Sequence, residues 1–162
     1  MKNKFLENIK NESLFSKKDK LIVAISGGAD SVALVNLLHK LNFNFQMAHC
    51  NFNLRGKESD KDENFVRDLS KNISVPIHVK HFNTDKFAKE NKMSIQMAAR
   101  ELRYRWFEEL RIKTNSDYIV VAHHKDDDVE TFFINLIRGS GIRGFLGMHK
   151  KKNNIVRPLL DF

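Results

Sequence analysis

The sequence holds a single cysteine, Cys50, which excludes an internal disulfide and a cysteine-based zinc cluster within one chain. It also lacks any apolar run approaching the roughly 20 residues of a membrane span, so no membrane role is expected. The stretch from Met1 to Lys20 is charged and has no apolar segment of the secretory type. Those absences together lead to the expectation of a cytoplasmic protein. No internal repeat and no low-complexity segment interrupts the chain.

What is present suits one globular domain spanning 1–162. Its 162 residues can bury a real core, and 41% hydrophobic with 30% charged content argues against disorder. A formal net charge of +8 favours a polyanionic partner by accumulating it electrostatically, although a lysine-solvated surface gives the same number. Some of that charge is clustered, at Lys17-Lys18 and at His149-Lys150-Lys151-Lys152. The second cluster falls in the polar, glycine- and lysine-rich stretch 139–154, read as a flexible loop where a phosphate backbone is easily met.

Strand and helix alternate. Leu21 to Ile25 is an apolar run ending at a glycine pair, and Val32 to Leu41 then shows helical spacing. Strands are expected over Phe45–His49, Ile77–His81 and Tyr118–Ala122. Helices are expected over Glu58–Asn72 (Ser59 as cap; Phe65, Val66 and Leu69 on one face), Asp85–Asn91, Ser94–Lys113 and Asp126–Arg138. A helical segment is expected within 1–20. This order implies an α/β fold, a doubly wound parallel sheet with helices on both faces.

The most informative local pattern is strand, then Ser26-Gly27-Gly28-Ala29-Asp30-Ser31, then helix. A helix N-terminus offers unpaired N–H groups and partial positive charge to a phosphate. Gly27 and Gly28 allow close backbone approach, and the Ser26 and Ser31 hydroxyls can add donors. Asp30 repels phosphate unless a cation intervenes, which points to Mg²⁺. The loop lacks the lysine of a Walker motif and the third glycine of a dinucleotide fingerprint. A bare glycine pair would be read as an ordinary capped turn. The complete string, however, resembles the signature of the PP-loop ATP pyrophosphatases, which implies an adenine nucleotide alpha hydrolase-like fold. It also implies cleavage of ATP between its α and β phosphates, with this loop holding the pyrophosphate.

Two further segments narrow the resemblance. Ala48-His49-Cys50-Asn51-Phe52-Asn53-Leu54-Arg55-Gly56, followed by Glu58-Ser59-Asp60, resembles the tRNA(Ile)-lysidine synthetase family. Asn53 stands where a second histidine is usual, and an amide carries no proton in acid–base work. Ala122-His123-His124-Lys125-Asp126-Asp127-Asp128-Val129-Glu130-Thr131, running on through Arg138-Gly139-Ser140-Gly141 to Gly144, resembles the same family. The spacing of His123, Asp127 and Glu130 puts them on one face at a helix start. Asp126 and Asp128 are read as solvated or dipole-complementing. Ala98-Ala99-Arg100-Glu101-Leu102-Arg103-Tyr104 and Arg157-Pro158-Leu159-Leu160 add weaker likeness, so the resemblance runs from Leu21 to Leu160.

The resemblance implies ATP, Mg²⁺, L-lysine and isoleucine tRNA as cofactors and substrates, and lysidine as product. It implies pyrophosphate binding at Ser26 to Ser31, including Ala29, and Mg²⁺ contacts at Asp30 and Asp127. Catalytic work would fall to Asp30, His123, Asp127 and Glu130. Substrate contacts would come from His49, Arg55, Arg100, Arg103, Arg138, Gly139, Ser140 and Gly141. The sequence leaves monomer and homodimer both open. Family members usually continue into further tRNA-gripping segments, so an isolated catalytic domain, a truncated piece of a longer chain or a minimal member is expected.

Overall fold

In the computed structural model, residues 2–127, 129 and 148–162 are described. The chain begins with α1 (Lys2–Asn11), β1 (Lys20–Ala24), α2 (Ala29–Lys40) and β2 (Asn44–Asn51). It continues through α3 (Lys57–Ile73), β3 (Ile77–His81), α4 (Thr84–Glu90), α5 (Ile95–Lys113) and β4 (Tyr118–Val120). A short hairpin, β5 (Lys151–Lys152) and β6 (Ile155–Val156), completes the described elements. Sheet order is β3-β2-β1-β4-β6-β5, parallel throughout except that β5 runs antiparallel to β6.

Alternation along the strands assigns each face its own core. Leu21 and Val23 of β1 point with Met47 and Val120 into a cluster built from α1, α2 and α3, where Phe5, Leu34, Leu38 and Val66 are fully buried. Ile22, Ala48 and Ile119 point the other way, onto Leu102, Trp106, Phe107 and Leu110 of α5. The result is three layers, as the alternation of elements implies. No described helix is long and apolar enough to cross a membrane.

Several local expectations are corrected. Phe65 lies on the exposed side of α3 while Val66 is buried, because the inward stripe of that helix runs through Val66, Leu69 and Ser70. Ser59 sits inside α3, after the cap position Gly56, and its hydroxyl accepts the Arg55 backbone N–H at 3.3 Å. The lysine cluster is not a loose polar tract where it is described. Lys150 pairs with Glu12 at 2.7 Å and Asp161 at 2.6 Å. Lys151 donates to the Ser13 and Leu14 carbonyls, and both residues 151 and 152 form β5. The rest of 139–154 up to Gly147 lies outside the described residues, as does most of the helix expected over Asp126–Arg138.

Candidate active site

The sheet order reverses direction at β1, which is flanked by β2 on one side and β4 on the other. Loops leaving the C-terminal ends of β1 and β4 therefore part, and a crevice opens between them. A cleft of about 250 Å³ occupies it. Its floor is apolar, from Ala24, Phe52, Phe107, Val121 and Ala122, and its rim carries Ser26, Asp30, Arg103, His123, His124 and Asp127. A flat apolar floor with a polar rim suits a nucleotide, base inward and phosphates at the rim.

The glycine loop forms the rim on the β1 side. Gly27 has φ of +98°, a conformation that side chains disfavour, and a Cβ there would lie 3.5 Å from Asp62 Cβ. Gly28 caps α2 without any side-chain hydrogen bond, so the first-turn N–H groups of α2 meet no described acceptor. The serine hydroxyls behave otherwise than expected. Ser31 donates its proton to the Gly28 carbonyl at 2.9 Å, so in the 3.2 Å pair with Ser26 the proton must come from Ser26. Both hydroxyl protons are thus spent inside the loop, while Ser26 Oγ also accepts the Gly28 N–H at 3.2 Å. The serines shape the loop, and backbone N–H groups are left to face an anion.

On the β4 side, His123 and His124 precede the helical turn that starts at Lys125, so His123 does not share a helix face with Asp127. Asp127 accepts the His124 backbone N–H at 2.9 Å, and His124 Nδ1 accepts the Asp126 N–H at 3.3 Å. This reciprocal pair caps the turn. His124 Nε2 then lies 3.4 Å from Asp30 and 3.5 Å from Asp127, and so sits between the two carboxylates expected to hold a metal. Asp30 and Asp127 therefore converge on one point. No group of three or more His, Cys, Asp or Glu placed to hold a metal ion occurs among the described residues. Two carboxylates with the remaining positions left to water and phosphate is the donor set Mg²⁺ accepts, so the site fits that ion.

His123 is half-buried, and its Nδ1 accepts from Arg157 Nε at 3.2 Å. Burial, helped by the positive charge of Arg157, pushes the imidazole pKa down to about 4. Such a ring is neutral at pH 7 and a poor base, so hydrogen-bond donation is the work it is suited to. Cys50 also borders the cleft, but burial raises its thiol to about 12 and leaves it protonated.

The other expected substrate residues divide. Arg103 reaches the cleft with its guanidinium 5.3 Å from the Phe52 ring centre, whereas Arg100 stacks on Tyr104 at 5.1 Å in a neighbouring open groove. His49 does not line the cleft. It is buried beneath the loop, donating from Nδ1 to the Ile25 carbonyl at 2.8 Å, and desolvation lowers its pKa. Arg55 is exposed and pairs with Asp62 at 2.9 Å, behind Gly27. Asn53 has φ of +53° and donates its amide to the Phe82 carbonyl at 3.1 Å, a structural role that explains a left-handed asparagine. Asp128, Glu130, Arg138, Gly139, Ser140, Gly141 and Gly144 lie outside the described residues. Sequence reasoning missed two residues with geometry that matters: His124 between the carboxylates, and Arg157 behind His123. Only the repeated histidine and the Arg-Pro pair marked them.

A model of the PP-loop domain, an ATP-binding family, matches residues 1–162. The chain belongs to the PP-loop domain family. The tRNA(Ile)-lysidine synthase of Bacteroides thetaiotaomicron is 51% identical to this PP-loop domain over 160 residues, covering 99% of the chain and 38% of that protein. The tRNA(Ile)-lysidine synthase of Porphyromonas gingivalis W83 is 51% identical over 161 residues, covering 98% and 36%. That of Chlorobaculum tepidum is 42% identical over 163 residues, covering 98% and 49%. The chain thus spans half or less of the length of these relatives. Among solved structures, the U34-tRNA thiolase NcsA of Methanococcus maripaludis, with its [4Fe-4S] cluster, superposes with a TM-score of 0.78 at 21% identity, covering 99% of this chain and 58% of that one. The NH3-dependent NAD synthetase of Campylobacter jejuni gives 0.61 at 18% identity, covering 99% and 64%. At such identities the likeness speaks for the fold, which is the mostly parallel α/β sheet of the PP-loop enzymes.

Proposed function

We propose that this PP-loop domain carries the adenylating centre of a tRNA(Ile)-lysidine synthase, joining lysine to the wobble cytidine of isoleucine tRNA at the expense of ATP. The observation that carries the reading is the meeting of the Ser26–Ser31 loop with the His123–Asp127 segment across one cleft. Relatives of that name align over nearly the whole chain at 51% identity, which supports the choice of acceptor.

In the first step the 2-oxygen of cytosine attacks the α-phosphorus, and the α–β phosphoanhydride bond breaks to release pyrophosphate. In the second, the lysine ε-nitrogen attacks C2, and the C2–O bond breaks as AMP leaves with that oxygen. The amine gives up protons as the new carbon–nitrogen bond forms. The chain must therefore hold pyrophosphate, orient the base and accept a proton.

The Gly27–Ser31 backbone holds the departing pyrophosphate at the start of α2. Asp30 and Asp127 would hold Mg²⁺, which would neutralise phosphate charge there. His124 lies between those carboxylates and keeps Asp30 and Asp127 close to each other. Arg103 supplies positive charge over the apolar floor. His123 offers a neutral N–H to an oxygen of the nucleotide, and Glu130 provides a carboxylate for the incoming amine. Arg138, Gly139, Ser140 and Gly141 are proposed to contact lysine or the nucleotide. Access requires an unstacked base, as in single-stranded anticodon recognition.

The test measures AMP and pyrophosphate release with isoleucine tRNA carrying a CAU anticodon, with and without L-lysine. Lysine-dependent formation of lysidine is expected. Turnover that ignores lysine, or that needs another acceptor, rejects this substrate and keeps the adenylating fold.

A further inference from the structure

Arg157 follows β6 directly and is only 6% exposed. Val156 pairs with Val120 of β4, and Val121 donates its N–H to the Val156 carbonyl at 3.0 Å. The ends of two adjacent strands thereby bring Arg157 alongside His123. Its Nε donates to His123 Nδ1 at 3.2 Å and its Nη1 to the His149 carbonyl at 2.8 Å. Among the described residues no carboxylate pairs with this buried guanidinium, and its partners there are the His123 ring and the His149 carbonyl. Burying such a charge costs free energy, which its hydrogen bonds offset.

We infer that Arg157 is a positioning residue that fixes His123 as an Nε2–H donor toward an oxygen of the bound nucleotide. A guanidinium has donors and no acceptor, and it stays charged. The nitrogen it meets must present a lone pair, so Nδ1 is bare and the single ring proton stays on Nε2. His123 lines the cleft, and its Nε2 has no partner among the described residues. Donation into Nδ1 polarises the ring and strengthens donation from Nε2. The buried positive charge is thereby passed to the cleft without a mobile cationic side chain entering it. The chemistry it fits is a phosphate oxygen or another oxygen that gains negative charge. Only the identity of that acceptor rests on the ATP reading. The tautomer stands independently of it.

The experiment labels the histidines with ¹⁵N and reads the tautomer of His123 by long-range proton–nitrogen correlation, assigned by its disappearance in H123Q. Without ligand at neutral pH, the Nε2–H form is expected. R157Q should populate the other tautomer and weaken ATP binding by about tenfold, the scale of a lost charge-assisted bond. R157K, which keeps a cationic donor, should recover part of both. H123Q places an amide nitrogen near Nε2 and should keep more affinity than H123N. An Nδ1–H or doubly protonated ring in the wild-type protein overturns the inference. So does a folded R157Q with unchanged tautomer and unchanged ATP affinity. If R157Q does not fold, the wild-type tautomer and the R157K result decide. The expected tautomer without any ATP binding would sink the nucleotide acceptor and leave the Arg157–His123 pairing standing.

Discussion

Gly27 and His123 show how much a single position can decide. Gly27 combines a φ of +98° with the Asp62 side chain across from it, so alanine there is strained by about 1–2 kcal/mol. G27A is expected to lower thermal stability modestly and to cut ATP affinity more than tenfold, as calorimetric titration would reveal. His123 has the opposite signature. Its folded pKa of about 4 lies below the 6.5 of a free histidine, so the unfolded chain binds more protons between those values. Its contribution to stability is complete above about pH 6.5 and drains away as pH falls toward 4. Melting temperature followed across that window should fall less steeply in H123Q than in wild type. His49 and His78 are depressed by burial too, so some acid sensitivity will persist. Residue identities at the glycine loop were readable because turn chemistry is local. The inward-facing serine protons were not, because they depend on a hydrogen-bond circuit closed only when α2 is in place. His49 read as a ligand from its neighbours, yet burial made it a prop for the loop.

At the level of elements, hydrophobic periodicity located β3 to the residue and most other strands and helices to within one or two positions. The hairpin β5–β6 was invisible because two-residue strands carry no period, and lysine is a poor strand signal. Its placement gives Lys150 structural partners that the reading as a phosphate contact did not foresee. The ammonium is held by Glu12 after α1 and by Asp161 near the last residues, tying distant parts of the chain together. K150A should therefore cost about 1 kcal/mol in urea unfolding and leave RNA affinity unchanged. A clear loss of RNA affinity at constant stability would instead favour the phosphate-contact reading. Phe65 illustrates the converse limit: a bulky side chain one position off the buried stripe of α3 looks apolar in sequence and is exposed in the fold.

The whole molecule was the easiest scale to read. Alternating strand and helix leaves few topologies, and the crevice at β1 follows from the reversal of strand order. Cleft geometry was not legible, since His124 and Arg157 meet their partners across segments far apart in sequence. A net charge of +8 gives a whole-molecule expectation for the proposed tRNA substrate. Its affinity should drop by ~10-fold or more between 50 and 200 mM salt in a filter-binding titration, whereas a salt-independent affinity would assign recognition to base contacts. The sheet itself has one more consequence. Its β5 margin is two residues long, and both are lysines. An open sheet edge invites another chain to add a strand, and a short charged margin gives an incoming strand too little backbone to grip. Uncharged replacements at Lys151 and Lys152 would remove one of those two guards, the charge, and leave the brevity of the margin as the other.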